Sequence, residues 1–118
     1  NGANIIFVIT NDGWWGNTAG HRQHLLFSSI RAIETRRSIA RSPNTGISCF
    51  INQRGDISQR TQYWVPAAIR QKINANDSIT FYVRHGDYIG RFFIAVAALF
   101  AAFTLYLSFR KRKSAIQF

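Results

Sequence analysis

Apolar residues fall into short blocks along the first half of the chain, and each block predicts one element. Residues 4–10 contain the β-branched run IIFVI, which predicts a buried strand. Residues 21–37 carry Leu26, Ile30 and Ile33 at spacings of four and three, which predicts a helix with these side chains facing one core. Further short apolar runs predict strands at residues 39–41, 47–51 and 57–62.

Turn sequences separate these blocks. The tetrapeptide PNTG at residues 43–46 predicts one turn. The run NQRGD at residues 52–56 predicts a hairpin turn in which Gly55 is the permissive residue. Residues 65–74 are expected to hold another strand, interrupted by Pro66.

The C-terminal part has a different pattern. Residues 92–109 are an uncharged run of eighteen residues in which Ala, Phe, Leu, Ile and Val dominate. As an α-helix such a run spans roughly 27 Å, close to a hydrocarbon core of about 30 Å. Tyr88 and Tyr106 lie near its ends, where amphipathic rings favour the membrane interface. We therefore predict a transmembrane helix over residues 88–109, with a buried helix of a larger soluble domain as the alternative.

The position of the positive charges along the chain is more informative about function than the net charge. The formal net charge of +10 would by itself suggest a nucleic-acid partner. Four of the positive charges, however, form the block RKRK at residues 110–113, directly after the apolar run. Lys and Arg beside a membrane span favour the cytoplasmic side. We therefore predict no nucleic-acid partner, a cytoplasmic tail at residues 110–118, and a globular part at residues 1–87 on the opposite side of the membrane.

The loop that follows the first strand, TNDGWWG at residues 10–16, is the most distinctive sequence of the chain. A glycine-held loop at the end of a buried strand is suited to form the wall of an apolar site. Trp14, Trp15 and Asn11 are therefore candidate substrate contacts. Asn11 and Asp12 are also expected to fix the loop by turning their side chains onto nearby backbone. The alternative is a loop whose rings only cap the core.

Further motifs follow this loop in order: HRQH at residues 21–24, RAIE at 31–34, RSPNTGIS at 41–48 and NQRGD at 52–56. Their order and spacing resemble the C-terminal half of the nitrilase-superfamily domain in bacterial apolipoprotein N-acyltransferase. A membrane segment after that domain extends the resemblance to nearly the whole chain. The resemblance implies an α/β fold: the C-terminal part of a nitrilase-like α-β-β-α sandwich over residues 1–87, followed by one C-terminal transmembrane helix.

The resemblance also implies a reaction at the bacterial inner membrane, with the globular part in the periplasm. The family uses a Glu-Lys-Cys triad whose thiolate takes an acyl chain from a phospholipid donor as a thioester. The N-terminal diacylglyceryl-cysteine of an apolipoprotein acceptor then receives that chain, and no cofactor is implied. The triad would fall before Asn1, and the chain has no methionine. We therefore expect a fragment that is inactive alone.

The remaining residues that could act as a nucleophile or as metal ligands are expected to have structural roles. Cys49 lies inside an apolar strand, which predicts an unreactive core cysteine. His21 and His24 lie three apart at a helix start and could bind zinc, but no third ligand is evident, so no metal is predicted. Asp12 and His24 are expected to hold the tryptophan loop through hydrogen bonds. Glu34, Arg41 and Asn44 match family positions and are expected to form a structural polar network, with direct substrate contact as the alternative.

Two other classes of function stay open at this point. One is a nitrilase-superfamily amidase with an added membrane anchor. The other is a non-enzymatic basic membrane protein that binds anionic lipid or nucleic acid. The paired tryptophans, the motifs that follow them and the terminal apolar run favour the acyltransferase.

Overall fold

The computed structural model describes residues 2–115 and forms two compact units, Asn1–Arg84 and His85–Phe118. The first unit is built on a four-stranded sheet whose strand order follows the chain. The strands are β1 (Ile5–Val8), β2 (Ser38–Arg41), β3 (Cys49–Ile51) and β4 (Ile57–Ser58). β1 and β2 are parallel, whereas the β2–β3 and β3–β4 pairs are antiparallel. The architecture is therefore mixed α/β.

One long helix, α1 (Ala19–Thr35), makes the crossover that the parallel β1–β2 pair requires. Thr18 caps its N-terminus, since the Thr18 hydroxyl accepts from the Gly20 N–H at 3.3 Å. Arg36 ends it in the left-handed conformation. The prediction of a helix at residues 21–37 is thus confirmed, with the start shifted by one turn or less.

The predicted core stripe on α1 is wrong. Leu26, Ile30 and Ile33 are 56%, 47% and 45% exposed. The helix instead turns a face of small and polar residues toward the sheet; its buried members are His21, Leu25, Ser28, Ser29 and Ala32. The reason is a contact from β2: the buried guanidinium of Arg41 donates to the Ser28 hydroxyl at 3.0 Å, which sets the rotation of the helix.

The core lies between α1 and one face of the sheet. Ile39 and Ile51 are paired neighbours on β2 and β3, and both are fully buried with Cys49. The prediction of a buried core cysteine is confirmed. Side chains alternate across a strand, so Phe7 and Phe50 lie on the opposite face, where Phe7 is 72% exposed.

The hairpin turn before β4 is confirmed, and Gly55 takes a positive φ of 88° there. The strand predicted at residues 57–62 is confirmed at its start only, and the strand predicted at residues 65–74 is wrong. β4 contains only Ile57–Ser58, and residues 65–74 hold no strand. Gln59 adopts a positive φ of 49°, which ends the extended backbone of β4, and Trp64 has a φ of 62° directly before residues 65–74.

The second unit consists mainly of α3 (Tyr88–Ala115), preceded at the unit boundary by the short helix α2 (Phe81–His85). The stretch Tyr88–Arg110 of α3 is long and apolar enough to cross a membrane. The apolar run thus forms one continuous helix. Residues 116–118 of the predicted tail lie outside the described residues.

Candidate functional site

The tryptophan loop is a short 3-10 helix, Asp12–Trp15, placed just beyond the end of β1. Asn11 caps it, because the Asn11 side-chain oxygen accepts from the Gly13 N–H at 3.2 Å. Gly16 closes it with a φ of 53° and donates its N–H to the Gly13 carbonyl. The two glycines and the asparagine therefore give the loop one defined shape.

The two tryptophans of the loop have different surroundings. Trp15 packs on the N-terminal turn of α1, where a Cβ added at Gly20 would lie 2.7 Å from Trp15 Cγ. Its ring also meets the ring of His24 edge-on, with centroids 5.0 Å apart. Trp14 is 85% exposed. Trp15 thus anchors the loop to the helix, and Trp14 is the ring that is accessible to another molecule.

A buried ion pair lies beneath the loop. Arg41 Nη2 is 2.6 Å from Asp12 Oδ2, and both side chains are fully buried. Asp12 Oδ1 lies 2.9 Å from His24 Nδ1 and accepts from the Thr10 hydroxyl at 2.9 Å. The pair therefore connects the loop, α1 and β2, since Arg41 also donates to Ser28.

The charge of Asp12 is maintained by these partners. Burial raises the pKa of Asp12, but hydrogen bonds from His24 and Thr10 and the nearby guanidinium of Arg41 outweigh it. The pKa of Asp12 accordingly lies below its ordinary value of 3.8. Asp12 is therefore an ionised acceptor at neutral pH, and a fully buried carboxylate with this many partners is suited to hold a loop in place.

The other two members of the expected network lie apart from this pair. Glu34 pairs with Arg31 at 2.7 Å near the far end of α1, as an exposed i,i+3 contact. Asn44 reaches the loop through its backbone, whose N–H donates to the Thr10 carbonyl at 2.8 Å. The structure thus brings together Asp12, His24 and Arg41 and leaves Glu34 outside.

An open groove of about 610 Å³ lies beside the loop. Its lining includes the polar residues Ser42, Asn44 and Thr61 and the apolar residues Trp64 and Val65. Sequence reasoning missed this groove, because it joins segments twenty residues apart. The run WVP at residues 64–66 was the only local signal, an aromatic and an aliphatic residue directly before a proline.

The two histidines of α1 have separate partners. His21 is buried and stacks on Tyr63 with centroids 4.1 Å apart, whereas His24 contacts Asp12. Among residues 2–115, no group of three or more His, Cys, Asp or Glu side chains is arranged to hold a metal ion.

Burial raises the pKa of the Cys49 thiol, an effect that the charges of Arg41 and Arg60 reduce only in part. Cys49 is therefore a thiol with little thiolate character.

Comparison with known proteins identifies relatives of the chain. No family model matches the chain. Apolipoprotein N-acyltransferase of Chlorobaculum tepidum is 33% identical over 111 residues, which is 94% of the chain. The enzymes of that name from Geobacter metallireducens and Agrobacterium fabrum are 33% and 36% identical over 94% and 96% of the chain. The chain is homologous to apolipoprotein N-acyltransferase.

The resemblance drawn from the motifs is thereby confirmed. A match over 94% of the chain includes residues of both the sheet unit and the apolar helix. The chain spans about a fifth of the length of the apolipoprotein N-acyltransferases it matches, 20–21% of each. The tryptophan loop, the buried ion pair and the groove are therefore features of one segment of a longer kind of protein.

Proposed function

We propose that the chain acts as part of a membrane N-acyltransferase. The whole protein would move a fatty acyl chain from a phospholipid to the N-terminal diacylglyceryl-cysteine of an apolipoprotein through a cysteine thioester. The observation that carries this proposal is the homology to apolipoprotein N-acyltransferases over nearly the whole chain. The apolar helix Tyr88–Arg110 supports it, because a lipid substrate requires access to the bilayer.

Within this proposal the tryptophan loop is a substrate-contacting element. Trp14 is the contact with the acyl chain, since its exposed ring offers a large apolar surface. Trp15 and Asn11 support that contact by fixing the loop on α1 and at its first turn. Asp12, His24 and Arg41 are positioning residues beneath it.

No nucleophile is assigned to the described residues. Cys49 is fully buried, and burial raises the pKa of its thiol. The Glu-Lys-Cys triad is instead proposed to belong to the remainder of the whole protein, since the chain corresponds to about a fifth of the length of its relatives. The expectation that the 118-residue chain is inactive alone follows from this assignment.

The open face of the sheet supports a nitrilase-like sandwich in the whole protein. Phe7 on β1 and Ile9 after it are 72% and 83% exposed, and a shallow cavity of about 370 Å³ runs along Ala40 and Phe50 on the same side. In an α-β-β-α sandwich a second sheet packs on such a face, about 10 Å away. Exposed aromatic and aliphatic side chains in this register are what that packing requires.

The proposed topology places the helix Tyr88–Arg110 across the inner membrane. The basic block at residues 110–113 is proposed to be cytoplasmic, with the sheet unit in the periplasm. Cysteine accessibility at Gly2 and at an introduced residue in the tail tests this in cells. Labelling of the tail from the outer side, with protection of Gly2, would contradict it.

A chimeric enzyme tests the proposed function. The homologous segment of the Chlorobaculum tepidum apolipoprotein N-acyltransferase is replaced by this chain, and transfer from phospholipid to a diacylglyceryl-cysteine peptide is measured together with amide hydrolysis. We expect acyl transfer in the chimera and in its Cys49→Ser variant. A folded chimera that hydrolyses amides without acyl transfer would support an anchored amidase instead.

A further inference from the structure

An apolar patch is exposed on the sheet unit shortly before the apolar helix begins. Four side chains in α2 or directly before it form this surface, which we call the α2 patch: Ile79, Phe81, Tyr82 and Val83. They are between 38% and 60% exposed. Neighbouring large apolar side chains that are open to solvent mark an interaction surface more often than single ones do.

Hydrogen bonds to α1 and to the residue after it hold the backbone next to the α2 patch. The Thr80 hydroxyl donates to the Glu34 carbonyl at 2.6 Å and accepts from the Val83 N–H at 3.1 Å. Arg37 Nη1 donates to the Ser78 carbonyl at 2.6 Å. The patch is therefore part of a defined surface of the sheet unit.

The chain runs from the α2 patch directly into the helix that is long and apolar enough to cross a membrane. Four peptide steps separate Arg84 from Tyr88, where that helix begins. A chain of this length reaches at most about 14 Å. When the helix Tyr88–Arg110 spans a bilayer, the α2 patch must therefore lie near the bilayer surface.

The chemistry of the α2 patch suits the interfacial region of a bilayer. Aromatic rings favour the boundary between headgroups and acyl chains, where apolar surface meets water. A cavity of about 560 Å³ has Ile79 and Val83 in its lining, together with Arg37, Arg84 and Asp77. Lys and Arg also outnumber Asp and Glu in residues 1–84. Exposed apolar side chains in a basic domain are attracted to a lipid surface with anionic headgroups.

We propose that the α2 patch docks into the headgroup region of the membrane and holds the sheet unit against the bilayer. The proposal rests on the proposed topology, which supplies the spanning helix. It adds a second membrane contact, made by the sheet unit itself. This contact keeps the globular part at the surface where a phospholipid donor is found.

Depth-dependent fluorescence quenching tests the proposal on the 118-residue chain in vesicles of equal parts phosphatidylcholine and phosphatidylglycerol. A thiol-reactive fluorescent label is attached to Tyr82→Cys. Cys49 is fully buried, and the unsubstituted chain serves as the labelling blank. The quencher is a nitroxide, either on the lipid headgroup or on the acyl chain next to its ester. We expect stronger quenching from the acyl-chain position. Quenching from the headgroup alone would mean that the label is only tethered near the membrane, and would overturn the proposal.

Two further labelled sites distinguish failure of the α2 patch from failure of the proposed topology. Leu99→Cys lies within the apolar helix and should be quenched by a nitroxide at the bilayer centre. Gln62→Cys is exposed just after β4, the sheet edge opposite β1, and should not be quenched from the acyl chain. An unquenched label at Leu99 would refute the topology and the patch with it. Quenching at Leu99 without acyl-chain quenching at Tyr82, or equal acyl-chain quenching at Gln62 and Tyr82, would refute the patch alone.

A matched pair of substitutions shows whether the patch or the label enters the bilayer. Val83→Glu puts a charge into the α2 patch, and Val65→Glu is the control because Val65 is exposed to the same degree, 52% against 50%. We expect Val83→Glu to lower the ratio of inserted to free label at Tyr82→Cys about tenfold, and Val65→Glu to leave it unchanged. Equal quenching in the two variants would overturn the proposal.

Photo-crosslinking in the chimeric enzyme tests the same contact in a whole protein. Tyr82 is replaced by benzoylphenylalanine, and we expect a cross-link to phospholipid. A cross-link to another part of the enzyme would assign the α2 patch to a contact within the whole protein and would overturn the proposal. Acyl transfer by the same chimera is measured separately, so loss of the patch and loss of the proposed function give different results.

Discussion

Removal of Arg41 is the sharpest test of what holds the tryptophan loop. Arg41→Leu leaves the Asp12 carboxylate fully buried without its cation, with His24 and Thr10 as the remaining partners. Breaking a buried pair from one side costs about 3–5 kcal/mol, because the other charge stays uncompensated. A domain is stable by only about 5–15 kcal/mol, so we expect a large loss of the free energy of unfolding.

A double-mutant cycle isolates the pair. Asp12→Leu should cost about 3–5 kcal/mol by the same argument, since it leaves Arg41 buried and unpaired. The double variant removes both charges, so no uncompensated charge stays buried and its cost should be below the sum; the orphaned hydroxyls of Thr10 and Ser28 contribute about 1–3 kcal/mol each.

The assay is urea unfolding of the detergent-solubilised chain, followed by tryptophan fluorescence. Arg31→Gln is the control, because the Arg31–Glu34 pair is exposed and contributes about 0.2–0.5 kcal/mol. If Arg41→Leu costs no more than this control, or if the two single costs simply add, the buried pair does not stabilise the loop and the reasoning fails.

Three further predictions concern the carboxylate of Asp12, the glycine that contacts it and the thiol of Cys49. The pKa of Asp12 is lowered on folding from its ordinary value of 3.8, so its contribution to stability is complete above that value and is lost as pH falls through the folded value. Asp12→Asn should therefore make the melting temperature depend less on pH between about pH 5 and pH 2. Gly46→Ala places a Cβ on the Asp12 carboxylate and should cost about 1–3 kcal/mol, whereas Gly2→Ala, in open space, should leave denaturant unfolding unchanged. Incubation with a phospholipid donor should give no thioester at Cys49, and mass spectrometry that finds acyl-Cys49 would reverse that assignment.

The local sequence pattern was sufficient to predict elements that are determined by neighbouring residues. The β-branched run predicted β1, and Gly55 predicted the hairpin turn because one residue with positive φ is enough to close it. The rotation of α1 was not predictable in this way. Leu26 and Ile30 form the stronger apolar stripe, but the contact between Arg41 and Ser28, thirteen residues apart, decides which face is buried.

The candidate site likewise contains residues that the local sequence identified and residues whose contacts required the tertiary fold. Trp14 was identified from the loop sequence, since the surrounding glycines and the preceding strand are neighbours in the chain. Asp12 and Arg41 were named as members of a network, but their direct pairing spans 29 residues and required the sheet. Trp64 has no sequence signature for its positive φ, and its backbone N–H donates to the carbonyl of Thr45, which is distant in the sequence.

The central claim, that the tryptophan loop contacts the acyl substrate, is tested most directly by turnover per folded molecule in the chimeric acyltransferase. For Trp14→Ala we predict a kcat/KM lower by about ten- to a hundredfold, equivalent to roughly 1–3 kcal/mol of lost apolar contact, with an unchanged melting temperature. The control Ile30→Ala changes a half-exposed apolar residue on α1 and should leave kcat/KM normal. A lower melting temperature for Trp14→Ala with normal kcat/KM would contradict the claim and make the loop a cap on the core.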